Sequence, residues 1–395
     1  MVEVNGFIAK GFGSVGDAFV ENFDQRGDVG AAFCAYVRGE KVVDLWGGDA
    51  KPGEPWEEDT LALVFSTTKG VTALVATVLA DRGLLDVDAP VSHYWPEFAA
   101  EGKEGVTVAQ VLDHSAGVLS FPNYEEILSV DDGSGWGRHE EITQRLADAP
   151  LWWTPGEQHG EHAITYGWII GEVVRRIDGR LLGTFFRDEI AAPLGLDFWI
   201  GLPTEHLDRV ADLLPPRDVH SPEILARVEE IFAPDSPSGA AFFVGSRGSV
   251  PDMASVANSA GFRVAEIPAS NGIGDARSLA RMYGALACGG ELDGVRIVSK
   301  EAIRRHSLER FDGHDLIIRT NKRYAMGYML PTPTEPQYGP NPDRAFGHPG
   351  LGGSLAFADP VAGVGYGYVM NQMAQIGAPH DRELALTKAL YECLA

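Results

Sequence analysis

The order in which strand-like and helix-like segments follow one another limits this chain more than any single motif. Gly30 to Val37 and Lys41 to Trp46 are apolar runs split by Arg-Gly-Glu, the pattern of a β-hairpin with a glycine in its turn. Near the other end, Arg323 to Leu330, Ser354 to Ala358 and Val364 to Met370 read as strands, with Asp359-Pro360 turning the last two. Between them the apolar spacing is helical over Val71 to Arg82, Val108 to Leu112 (Thr107 as N-cap), Glu140 to Ala147, Thr165 to Ile177, Leu182 to Ala191, Asp275 to Cys288 and Lys300 to Ser307. A last helix is expected over Glu383 to Cys393. The economical arrangement is one antiparallel sheet built from both ends of the chain and flanked by helices, an α/β (α+β) fold with a mostly helical domain inserted. The implied division is 1–85 with 260–395 for the sheet domain and 86–259 for the helical one. Residues 213–260, broken by Pro215, Pro216, Pro222, Pro234 and Pro237, suit a crossing or site-covering loop.

The 395 residues suffice for a large core, and 45% hydrophobic with 22% charged residues is ordinary for a globular chain. A net charge of −24 without a basic stripe argues against nucleic acid as partner and mildly repels anionic substrates and membranes. Cys34, Cys288 and Cys393 are too sparse for a disulfide framework or a metal site. The N-terminus has neither a basic segment nor an apolar one behind it, and no apolar run reaches the about 18 residues of a spanning helix. A cytoplasmic protein with no membrane partner is therefore expected; oligomeric state is not fixed by these features.

Chemistry concentrates at Val64-Phe65-Ser66-Thr67-Thr68-Lys69-Gly70, which runs directly into the helix at Val71. Three residues apart, Ser66 and Lys69 share one helical face, so an amine can lie beside a hydroxyl. A serine becomes a nucleophile when a neighbouring base takes its proton, and a desolvated lysine can be that base. The helix N-terminus adds free N–H groups where negative charge would develop. The bland alternative is that Ser66 caps the helix and Lys69 is solvated.

Further stretches follow in order: His114-Ser115-Ala116-Gly117, His162-Ala163-Ile164-Thr165-Tyr166-Gly167-Trp168, Gly195 to Gly201, Asn271-Gly272, and Gly347-His348-Pro349-Gly350-Leu351-Gly352-Gly353-Ser354. Together with the Ser66 segment they resemble the family VIII carboxylesterases, relatives of class C β-lactamases and D-alanyl-D-alanine peptidases. The resemblance runs from about residue 30 to 372. It implies a β-lactamase-like fold and a serine acyl-transfer enzyme acting on small-molecule esters, with no cofactor or metal. Ser66 would be the nucleophile, Lys69 its activating partner, and the backbone N–H groups of Ser66 and Leu351 the oxyanion hole. His348 and Gly350, where β-lactamases carry Lys-Thr-Gly, would border the substrate. A mostly neutral histidine there is a weaker anion partner than lysine, so neutral esters are expected over β-lactams.

A second departure bears on the base. Family VIII enzymes usually read Gly-Tyr-His-Ala ahead of Thr-(Tyr/Phe)-Gly-Trp, and that tyrosine is the general base. Here the run is Gly160-Glu161-His162-Ala163, so Glu161 stands at the tyrosine position. It can act as base, pair with Lys69 and weaken it, or mark an altered balance of hydrolysis and acyl transfer. Tyr166 matches the family's own Tyr/Phe position and reads as packing.

His159-Gly160-Glu161-His162 lacks the spacing of a metal site. A G-x-S-x-G elbow is absent, which disfavours an α/β-hydrolase route. Phe121, Trp136 and Phe243, in segments expected to be loops, are the aromatics assigned to an apolar substrate pocket, against the ordinary reading that they are core. The function expected is a serine esterase, with an acyltransferase or a non-catalytic binding protein of the same fold as alternatives.

Overall fold

The computed structural model describes residues 2–217, 222–243, 253–333, 336–375 and 380–395. Both ends of the chain do meet in one sheet. Its strands are β1 (Val4–Ile8), β2 (Gly30–Val37), β3 (Glu40–Lys51), β4 (Phe311–His314), β5 (Asn321–Tyr324), β6 (Met329–Leu330), β7 (Phe346–Pro349), β8 (Leu355–Asp359) and β9 (Val364–Met370). They run in the order β1-β3-β2-β9-β8-β7-β6-β5-β4, and each neighbouring pair in that order is antiparallel. The N- and C-terminal halves join where β2 pairs β9, with Phe33 opposite Tyr368.

Period-two alternation explains the layers. Ala31, Phe33 and Ala35 of β2, with Tyr366 and Tyr368 of β9, face α1 (Gly13–Gln25) and the C-terminal helix Asp381–Glu392. Ala32, Cys34 and Tyr36 face the larger core on the other side. There the helix Ala276–Ala287 lies almost on the strand backbone, because β9 offers glycines to it. A Cβ at Gly365 would sit 2.2 Å from the Gly284 nitrogen, and one at Gly367 would sit 2.4 Å from the Ala276 carbonyl oxygen.

Sequence and structure differ in three places that bear on the site. Arg323 to Leu330, read as one strand, is two: β5 and β6 fold back on each other, with Arg323 opposite Leu330, and a turn at Gly327 between them. Period-two patterning cannot distinguish one strand from a tight hairpin whose turn is itself buried. β3 runs on to Lys51, beyond the apolar run that ends at Trp46, and pairs with Glu54–Pro55. The Leu182 to Ala191 helix contains a π turn over Arg187–Ala191. Of the 213–260 stretch, 218–221 and 244–252 lie outside the described residues; the remainder carries the helices Pro222–Ile231, Pro237–Ala241 and Met253–Asn258.

Helix α2 (Thr67–Asp81) carries the functional motif. Every residue from Thr67 to Leu79 is buried, so the helix is enclosed on all faces rather than on one stripe. It packs between β7 on one side and the helix α3 (Thr165–Asp178) on the other. Fully burying Val71, Leu74, Val75, Val78 and Leu79 contributes about 1.5–3 kcal/mol each and fixes the position of its first turn.

Candidate active site

The residue before Ser66 sets the entry into α2. Phe65 has φ of +43°, the left-handed region that a bulky side chain avoids, and its ring is buried. Such strain persists only where the surroundings over-determine it. Here Val64 N–H donates to the Gly272 carbonyl and Gly272 N–H to Thr68 Oγ1, pinning both flanks.

Ser66 stands at the helix start but makes no capping bond through its side chain. Its hydroxyl meets the other two predicted residues instead. Lys69 Nζ donates to Ser66 Oγ at 2.9 Å and lies 3.0 Å from Glu161 Oε1, and Ser66 Oγ donates to Glu161 Oε1 at 3.5 Å. Lys69 also donates to the Ala163 and Ala269 carbonyls, at 2.8 and 3.2 Å. Four oxygens surround an amine that is 0% exposed. An ammonium has only hydrogens to offer, and this set suits it.

Burial pulls the Lys69 pKa down, and Glu161 opposes that without cancelling it. For Glu161, burial works to raise the pKa, but the Lys69 charge leads a set of influences that leave it net below the ordinary carboxylate value. The oxygens around Nζ suit an ammonium at Lys69 beside a carboxylate at Glu161.

Glycines admit this assembly. A Cβ on Gly70 would sit 2.0 Å from Tyr283 Oη, so the position after Lys69 must be bare for α2 to pass that ring. A Cβ on Gly350 would meet the Val64 carbonyl and Ser354 Oγ, both at 2.2 Å. The bare Gly350 therefore brings the turn after β7 against residues 64–67. Ser354 Oγ donates to the Val64 carbonyl at 2.8 Å and lies 3.1 Å from Thr67 Oγ1, tying the two segments together. Among the described residues no hydrogen-bond acceptor is recorded for the Ser66 and Leu351 N–H groups.

His348 and the aromatic residues are placed differently from what a substrate contact would suggest. His348 is 1% exposed; its Nδ1 lies 2.7 Å from the Pro349 carbonyl and its Nε2 has no partner. Burial first, then the Lys69 charge, lower its pKa to about 4, so the imidazole is neutral. Phe121, Trp136 and Phe243 do come together, in a cluster with Trp168, but each is at most 3% exposed. They are part of the buried core. A cavity of about 520 Å³ lies elsewhere, lined by Glu57, Asp197, Asp275, Arg277 and their neighbours, with none of the predicted site residues in it.

The histidines around Glu161 are clamps. Val118 N–H donates to His162 Nε2, so the His162 proton is on Nδ1, which faces the Gly160 carbonyl at 2.9 Å. His162 N–H donates to His114 Nδ1, and Gly160 N–H to the His114 carbonyl. His159 stacks on Phe311, and no metal-binding cluster occurs among the described residues. Tyr166 donates to the Lys69 carbonyl and packs against His114. Sequence reasoning passed over the carbonyls of Ala163 and Ala269 and the Ser354 tie. Ser354 was legible only as the end of a glycine run. Carbonyl ligands leave no side-chain signal at all, although Asn271, whose amide donates to the Phe262 and Ala265 carbonyls, marks the turn that aims Ala269.

Residues 17–390 match the Beta-lactamase family. The esterase/beta-lactamase LipL of Mycobacterium tuberculosis is 36% identical over 375 residues, covering 92% of this chain and 81% of that protein. A family VIII carboxylesterase of known crystal structure superposes with a TM-score of 0.87 at 41% identity, over 99% of this chain and 100% of that one. EstA from Arthrobacter nitroguajacolicus Rue61a gives 0.83 at 33% identity, over 99% and 98%. The chain belongs to the beta-lactamase family and is similar, in sequence and fold, to its family VIII carboxylesterases.

Proposed function

We propose that the protein hydrolyses carboxylic esters through an acyl-enzyme on Ser66, with Glu161 as the proton acceptor and Lys69 as the charge that steadies it. The observation that carries this is the direction of the hydrogen bonds at Ser66 Oγ. An ammonium at Lys69 donates to that oxygen, so the single serine proton points to Glu161 Oε1. The 3.5 Å separation is long, as such bonds often are before substrate binds. As Oγ attacks the ester carbonyl, its proton passes to Glu161 and the oxyanion is received by the N–H groups of Ser66 and Leu351. Collapse breaks the C–O bond and the alcohol leaves with the proton held by Glu161. A water then adds to the acyl group by the same route, returning Ser66 and free acid. Rigid N–H donors at the developing oxyanion are usually the largest single contribution to such catalysis.

The neutral His348 and the net charge support uncharged esters over anionic β-lactams. Three unpaired cysteines support a reducing, cytoplasmic setting, and no helix among the described residues is long and apolar enough to cross a membrane. We read the described residues of 86–259 as the lobe beside the Ser66 end of α2. Intact-mass measurement after exposure to an activated ester tests the reading: one acyl group should appear on Ser66 and be lost to water. No adduct, under conditions that trap slow deacylation, overturns it. Amide formed in preference to acid when amines are added marks the acyltransferase alternative.

A further inference from the structure

Glu161 is held by Lys69 through its side chain, and its backbone is held from two sides. One side is the histidine clamp described above. The other is Asp315, 154 residues away and 0% exposed. Asp315 Oδ2 accepts from Glu161 N–H at 2.9 Å and from Tyr324 Oη at 2.8 Å. Asp315 Oδ1 accepts from the N–H groups of Ile317 and Ile318, each at 2.8 Å. The turn after β4 is pressed onto the same segment: Leu316 N–H donates to the His159 carbonyl, and a Cβ on Gly160 would come within 2.8 Å of Ile317 Cγ1. Tyr324 joins the two clamps, since its ring also packs against His114, with centroids 4.9 Å apart.

We propose that Asp315 is a positioning residue for catalysis, fixing the Glu161 backbone so that its carboxylate stands between Ser66 and Lys69. This rests on the reading of Glu161 as proton acceptor. A carboxylate sealed from water is costly unless hydrogen-bonded, and this one has four donors. Two of them close its own turn, as an ordinary aspartate does. The Glu161 bond reaches across to the catalytic segment, and the Tyr324 bond ties the turn to β5, whose Tyr324 ring packs against His114; a merely structural turn residue has no need of the first. Glu161 takes its place from β4, β5 and the turn between them, which lie at the sheet edge beyond β7.

The test is Asp315→Asn, near-isosteric, which keeps Oδ1 for Ile317 and Ile318 but sets an amide nitrogen against the Glu161 N–H. Single-turnover acylation by an activated ester is followed by intact mass, with wild type, Glu161→Gln and the double variant alongside. Misplacement of a reacting group costs up to about 10²-fold, so kcat should fall about 10–100-fold with KM changed much less. The same change in the Glu161→Gln background should cost little more. Equal losses in both backgrounds, or a wild-type acylation rate in Asp315→Asn, overturn the proposal. If Asp315→Asn does not fold, Tyr324→Phe replaces it. It should slow acylation several-fold only where Glu161 is present, and an equal loss in both backgrounds overturns the proposal. No acylation of wild-type Ser66 is a failure of the esterase reading itself, and the Asp315 proposal falls with it.

Discussion

Replacing Glu161 by glutamine separates base from ion pair, because it keeps the shape and removes the charge. In wild type the carboxylate oxygen lies 3.0 Å from Lys69 Nζ and 3.5 Å from Ser66 Oγ, and both partners of the ion pair are buried. Without the carboxylate, Ser66 loses the acceptor for its proton and Lys69 loses the charge that holds its pKa up, and loss of a general base costs about 10²–10⁴-fold. Removing one partner of a buried pair leaves an uncompensated charge, at about 3–5 kcal/mol. For a chain of 395 residues that is a Tm lower by about 3–6 °C at pH 7.

The pH dependence supplies the sign. The Glu161 pKa in the folded protein is below its unfolded value, so its contribution is fully present above the unfolded pKa and is lost as pH falls through the folded one. The Lys69 pKa is also lowered, so its burial costs stability at neutral pH, and that cost fades as pH rises through its folded pKa. The Tm deficit of Glu161→Gln should therefore be full near pH 7, close in acid, and narrow again in alkali as Lys69 sheds its proton. Residual acylation by the variant should climb with pH for the same reason. Calorimetry from pH 3 to 10 and burst kinetics with a p-nitrophenyl ester measure both. Wild-type acylation at pH 7 together with an unchanged Tm would refute the assignment of Glu161 as an ionised base.

Other consequences are sharper in outcome. Wild-type kcat/KM should hold from pH 7 down to about 5, because Glu161 titrates below the ordinary carboxylate range. Glu161→Tyr substitutes a phenol of ordinary pKa about 10 and should move the acid limb upward; an unmoved limb would exclude residue 161 as the titrating group. Gly350→Ala drives a methyl into the Val64 carbonyl and Ser354 Oγ, displacing Leu351 N–H. It should cut kcat by about 10²–10³-fold with KM little changed. Phe243→Ala should destabilise by about 3–5 kcal/mol with no selective change among acyl chain lengths, because its ring is core; a changed chain-length preference at unchanged Tm would return it to the substrate pocket.

What could be read from the sequence divides along the range of the interactions involved. Ser66 and Lys69 were legible because i and i+3 on a helix must meet whatever the rest of the chain does. The central strands were legible because β2, β8, β9 and the Val42 to Leu45 stretch of β3 are buried on both faces and read as apolar runs. β1 and β4, at the sheet edges, alternate in exposure or are largely exposed, and they gave no such signal. Glu161 was found only through the family pattern, since no local rule joins residue 161 to residue 66. The aromatic residues show the opposite failure: ring-rich loops read as a binding surface, yet the rings of Phe121, Trp136 and Phe243 pack against one another in the core. What periodicity misses is the carboxylate at 315 and the carbonyls at 163 and 269, which act through single hydrogen bonds across distant segments. On the proposed reading, these contacts place the groups that divide the donor and acceptor roles near Ser66. The choice between lysine and glutamate as base would then be made by groups that leave no pattern in the sequence.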